Sequence, residues 1–198
     1  MAVIQRAIDC RNQKLLKLVS ATLHTAADTD RIVTTTNMKV GAYTVAAQPY
    51  GPSLITVTTT ASGTADTQGT ITVVGTDIFD VAQTDVIIPV ADSTVSGVKY
   101  FKTVTSVTGA GWVVDVGAGN DTIVVGVPAS CGLYTKGHPI TLGIITGNVW
   151  INPLITAVAD TTAIPLIAGD LVQNMVVDTL SIIADGSGGT FYAMIWDV

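Results

Sequence analysis

The sequence predicts an all-β protein, and three observations carry that reading. Thr, Val and Ile dominate, and such β-branched side chains suit a pleated, half-buried surface. All fifteen acidic residues are Asp and none is Glu, so acids serve turns while straight-chain helix formers are scarce. Short alternations of apolar and polar residues recur along the chain, punctuated by Asn, Asp and the 19 glycines.

The N-terminal segment departs from this pattern. Ile4, Ile8, Arg11, Leu15 and Leu18 lie at near-helical spacing with basic residues between them, which predicts an arm or short amphipathic helix over residues 1–20. From Ala21 to Tyr50 the text is rich in Thr and Asp, with short strands expected around 31–35 and 42–46. Gln48-Pro49 and Gly51-Pro52 then interrupt it, and a domain boundary is placed there.

Residues 49–128 read as a compact lobe. Ile55 and Val57, Ile71 and Val73, Trp112, Val114 and Val116, and Ile123, Val125 and Val127 are expected to face inward from alternating strands. Turn signals at Ser62-Gly63, Gly75 to Asp77, Ser96-Gly97, Gly109 to Gly111 and Gly117 to Asn120 space these strands as in an immunoglobulin-like β-sandwich. Beyond Pro128 the strands are longer and more apolar. Residues 21–48 and 129–198 are therefore assigned to one β-domain, a sandwich or barrel, into which the lobe is inserted. In its last strand Phe191, Ala193 and Ile195 oppose Tyr192, Met194 and Trp196, so both faces are apolar, as under a subunit interface. Phe191, Tyr192, Met194 and Trp196 are the candidate interface residues. The uncharged run from Pro139 to Ala159 is long enough to span a bilayer, but its Gly-Asn and Asn-Pro turns predict strands and no membrane association.

Charge and chemistry narrow the function. A net charge of −6 without clustered cations in the body argues against nucleic acid as a partner. Six of the nine basic residues lie in the first 39 positions, giving a basic arm on an acidic body. Cys10 and Cys131 have no metal or redox spacing and are expected to be free thiols made in a reducing cytoplasm; the charged start carries no apolar stretch of the secretory kind. Cys131 and His138 could in principle pair as nucleophile and base, but Gly132, Gly137 and Pro139 around them read as a loop. The abundant Asp sit beside turn residues, so no catalytic residue and no cofactor is assigned. The run Gly117 to Ile123 resembles one copy of a calcium-binding nonapeptide; a hairpin turn accounts for it, while Asp115, Asn120 and Asp121 are the oxygen ligands a lone Ca²⁺ would use.

Gly69-Thr-Ile-Thr-Val-Val-Gly-Thr-Asp77, Thr94-Val-Ser-Gly-Val-Lys-Tyr-Phe-Lys-Thr-Val-Thr-Ser-Val107 and Asp121-Thr-Ile-Val-Val-Gly126 together resemble a β-module of tailed-bacteriophage virion proteins. The resemblance covers roughly residues 45 to 127, and the close from Leu180 to Trp196 is similar to the ends of such subunits. It implies a non-enzymatic head-decoration or head-fibre subunit on the capsid exterior, bound to the major capsid protein and forming a homo-oligomer, with a trimer expected at local three-fold sites. On that reading Arg6, Arg11, Lys14 and Lys17 contact the shell. A tail, neck or fibre component, with the lobe binding host glycans through Tyr100 or Trp112, is the other expectation.

Overall fold

In the computed structural model the described residues are 14–24, 26–115, 119–152, 164–177, 179–184 and 188–197. They form sixteen strands and no helix. These are β1 (Lys14–Leu23), β2 (Asp28–Asn37), β3 (Gly41–Tyr43), β4 (Thr56–Thr60), β5 (Thr70–Thr76), β6 (Ala82–Ile87), β7 (Thr94–Ser96) and β8 (Thr103–Ala110). They continue with β9 (Thr122–Val127), β10 (Cys131–Tyr134), β11 (Pro139–Thr146), β12 (Val149–Asn152), β13 (Ile164–Leu166), β14 (Leu171–Val176), β15 (Thr179–Ala184) and β16 (Gly189–Asp197). The all-β expectation is met.

The strands make four antiparallel sheets, ordered β1-β16-β11-β14, β10-β15-β12-β13, β2-β9-β4-β7 and β3-β8-β5-β6. Renumbering the strands one to eight within each unit reveals a shared plan. In both units one sheet runs 1-8-3-6 and the other 2-7-4-5. That order is the jelly roll, a double sheet of two Greek keys, and not the ABED/CFG order of an immunoglobulin domain. One jelly roll (β2 to β9) is inserted between the first and second strands of the other (β1 and β10 to β16).

Two of the expected boundaries are thereby corrected. Strands β2 and β3 pair with β9 and β8, so residues 28–43 belong to the inserted unit and not to the C-terminal domain. The Pro-containing breaks at 48–52 lie inside that unit's β3–β4 connection. The helical spacing read from residues 3–19 is overridden from Lys14 onward, because β1 pairs with β16 along its length and buries Val19, Ala21 and Leu23 at period two. The uncharged 139–159 run contributes β11 and β12 as far as Asn152, with 153–159 outside the described residues; no described helix is long and apolar enough to cross a membrane.

Each unit has its own core. Phe191, Leu142, Ile140, Leu133 and Ile182 are fully enclosed in the first, and Phe101, Ile55, Val73, Ile123 and Val125 in the second. The inward sets expected at 55/57, 71/73 and 123/125/127 are all buried. Trp112 packs against the second core, but Val114 is exposed and Val116 lies outside the described residues: the stretch after Gly111 pairs through a bridge between Val113 and Thr67 instead of forming a full strand.

The units meet through the tight turn between β5 and β6. The Asp77 carboxylate accepts the N–H groups of Phe79 (2.8 Å) and Val81 (3.0 Å), an Asx-type turn that projects Ile78 into the core of the first unit. On the same side Gly132 donates to the Pro52 carbonyl at 2.8 Å and lies against the Tyr100 ring so closely that a Cβ there would come within 1.8 Å of it. His24, at the end of β1, stacks on Tyr50 with ring centroids 3.4 Å apart, and Arg31 lies over the Tyr50 ring at 3.8 Å. Ion pairs flank the junction, Lys17 and Lys102 both to Asp80, and Lys136 to Asp77.

Asp80 gives this junction a pH dependence. Hydrogen bonds from Lys102 and then Lys17 lower its carboxyl from 3.8 to about 2. A group with a depressed folded-state value contributes fully above the unfolded value and loses that contribution as pH falls through the folded one. The Lys17–Asp80 contact between the units should therefore persist above pH 4 and be lost between pH 4 and 2. An NMR titration of the Asp80 side chain is expected to show its carboxyl protonating at about pH 2; protonation at the ordinary carboxylate value would remove Asp80 from the junction.

Candidate functional site: an apolar sheet face

The outer face of the sheet β1-β16-β11-β14 is built from the strand whose two sides are both apolar. In β16 the residues Phe191, Ala193 and Ile195 point into the core, fully enclosed, while Tyr192, Met194 and Trp196 alternate outward and stay half-buried. Register extends this row across neighbouring strands. Trp196 lies opposite Leu15, and Met194 lies between Leu18 of β1 and Thr141 of β11. Tyr192 lies opposite Gly143, which in turn lies opposite Leu171 of β14, and Pro139 lies opposite Val176.

Two local features fix the aromatic pair. The Trp196 indole N–H donates to the Thr141 hydroxyl at 3.1 Å, which satisfies its one polar atom on an otherwise apolar face. Gly143 leaves room for Tyr192, since a Cβ there would come within 2.3 Å of the phenol ring. The flanking residues are open to solvent, Leu18 at 57% and Val176 at 60% of full exposure, with Leu15 and Leu171 comparable. A contiguous apolar surface of this kind is what subunit contacts use. Of the four candidate interface residues, Tyr192, Met194 and Trp196 share the face; Phe191 belongs to the monomer's core and is corrected out of the set.

The candidate shell contacts divide. Lys17 is engaged by Asp80, whereas Lys14 is exposed and lies opposite Asp197. Arg6 and Arg11 lie outside the described residues.

The proposed oxygen ligands are likewise accounted for. The buried Asp121 carboxylate accepts from Ser62 N–H (3.0 Å), Asp66 N–H (3.1 Å) and the Gln68 amide (2.8 Å). The buried Asp66 carboxylate accepts from Asp115 N–H (2.7 Å), Asp121 N–H (3.1 Å) and the Trp112 indole (3.2 Å). The Asp115 hydrogen bond is the main reason the Asp66 carboxyl titrates below its usual value. Asp115 takes part here through its backbone, and the Asn120 amide oxygen is buried with no hydrogen-bond partner among the described residues. Among the described residues no set of three His, Cys or acidic side chains is placed to hold a metal. The two carboxylates staple the 61–68 and 111–121 loops together, a role that the Gly117 to Ile123 pattern did not signal because Asp66 lies far from it in sequence.

Cys131 and His138 take different neighbours. The Cys131 thiol is buried 3.9 Å from the Ser53 hydroxyl, and burial pushes it up to about 11, far from a reactive thiolate at neutral pH. The His138 ring packs near Phe79.

No family model matches this chain, and no curated protein is similar to it. What can be said of its role therefore rests on the residues and the fold.

Proposed function

We propose that this chain is a structural virion subunit that decorates a phage capsid, self-associating through the outer face of the β1-β16-β11-β14 sheet. One observation carries the reading: a row of half-buried and exposed apolar side chains, Leu15, Leu18, Leu171, Tyr192, Met194 and Trp196, is left uncovered by the described residues. Two jelly rolls, one inserted in the other, suit it as a fold-level analogy, since capsid and lectin domains are frequent users of that architecture. The low charge content, 12%, leaves a surface that neighbours can cover without desolvating many ions. A subunit that binds an assembled shell and not its separated parts stabilises the shell by mass action. A trimer suits local three-fold sites, and Lys14 with the basic residues preceding it supplies complementary charge for an acidic shell.

The direct test is the copy number of this protein in purified particles, measured against the major capsid protein. A fixed ratio near that of three-fold sites or of shell subunits supports decoration. A few copies per particle would move the protein to the neck, tail or fibre, and absence from particles would overturn the reading.

The face itself is tested by Leu18→Lys combined with Trp196→Ala. Both positions lie outside the core, so the unfolding midpoint should move by only about 2–4 °C. Sedimentation should shift from oligomer to monomer. An oligomer of unchanged mass would exclude this face as the contact.

A further inference from the structure

Where the two jelly rolls meet, a cleft of about 390 Å³ opens beside the Ile78 plug. Its walls come from both units: Asp77 and Gln83 from the β5–β6 hairpin, Val98 and Lys99 from the loop before β8, and Tyr134 and Thr179 from adjacent ends of β10 and β15. The volume falls within the range of small-molecule sites, and junctions between domains are a preferred place for them.

The lining points to one ligand chemistry. It is mainly apolar, and two of its side chains are conspicuously uncovered, Val98 at 77% exposure and Tyr134 at 47%. The charged groups are already engaged: Asp77 by two backbone N–H groups and by Lys136 at 3.3 Å, and Lys99 by the Thr84 carbonyl at 2.6 Å. A cationic ligand would therefore meet no unpaired carboxylate, and Lys99, which has no ion-pair partner among the described residues, is exposed, so an anion would gain only a contact screened by solvent. A neutral ligand with one apolar face and a rim of hydroxyls would instead set that face on the phenol ring and share hydrogen bonds with Asp77, Lys99, and the Tyr134 and Thr179 hydroxyls. Tyrosine suits such a contact because its ring is apolar and its tip polar. The floor is preformed, with Tyr100 wedged against Gly132 and Ile78 anchored in the first core, so little ordering opposes binding.

We infer that this cleft binds a neutral saccharide of one or two pyranose rings, with Tyr134 as the stacking platform. This site is separate from the apolar sheet face and stands whether or not that face makes oligomers.

The experiment is saturation-transfer NMR and calorimetric titration of the full chain with four neutral probes: maltose, lactose, cellobiose and diacetylchitobiose. At least one is expected to bind with a dissociation constant on the order of 1 mM. Tyr134→Ala should weaken it about tenfold, equivalent to about 1.4 kcal/mol, while Tyr134→Phe retains most of it. Val98→Trp, at a position that projects into solvent, should block the cleft without unfolding the protein. The inference is overturned if none of the probes binds, if binding is indifferent to both Tyr134→Ala and Val98→Trp, or if glucose 6-phosphate binds more tightly than every neutral probe.

Discussion

Asp121→Ala is expected to destabilise the inserted jelly roll by about 3–5 kcal/mol, the range seen when a buried, hydrogen-bonded charge is removed from its partners. The side chain is fully enclosed and accepts three hydrogen bonds, two from backbone N–H groups of the 61–68 loop. Alanine would take the acceptor from all three donors and leave the Asp66 N–H unpaired in a buried position. In a calorimetric scan the unfolding midpoint should fall by roughly 10 °C. Asp121→Asn keeps the shape but turns an amide N–H₂ toward donors, so it should recover only part of the loss. A midpoint within about 2 °C of the unmodified protein for the alanine variant would show that the loop staple is dispensable.

Phe191→Ala should act with similar force on the other unit. The ring is fully enclosed in the first core, and its removal combines lost transfer free energy with a cavity that rigid sheets on both sides cannot close, for about 3–5 kcal/mol. The comparison with its neighbour is the informative part. Trp196→Ala, five residues along the same strand but on the outer side, should leave the monomer's denaturant midpoint nearly unchanged and act on self-association instead. Equal losses of monomer stability from the two would mean that the outer face is already covered within one chain.

These two residues also show what the sequence made legible. Alternation at Ile55/Val57, Ile71/Val73 and Ile123/Val125 identifies inward faces because the opposing positions are Thr or other tolerant residues. In β16 both series are apolar, and alternation alone cannot say which one is inside. Gly143 decides it, since only a glycine opposite Tyr192 lets that ring lie across the sheet's outer surface, and this pairing joins strands far apart in the chain. In β1 the period-two run Val19, Ala21, Leu23 was masked by the helical spacing of Leu15 and Leu18, which the structure places on the exposed side. Strand order was not legible at all. Turn spacing suggests a sandwich of many short strands, but immunoglobulin and jelly-roll domains differ in long-range pairings that leave no local signature. The assignment of residues 28–43 failed for the same reason: β2 finds its partner in β9, beyond every turn of the lobe.

The insertion also sets a timetable for folding. The inner jelly roll is complete once β9 has emerged from the ribosome, and its eight strands can close on one another while synthesis continues. The outer one must wait. Its first strand, β1, made before any other described element, has its hydrogen-bonding partner in β16, the last to be made. At about 5–20 residues per second, a strand bearing Leu15 and Leu18 remains unpaired for several seconds after the inner unit has finished. During that interval the same leucines that are proposed to join mature subunits are free to engage the β1 of a neighbouring nascent chain. Overproduction of this protein should therefore favour misassembly at its N-terminal strand, and slower synthesis or lower temperature should relieve it.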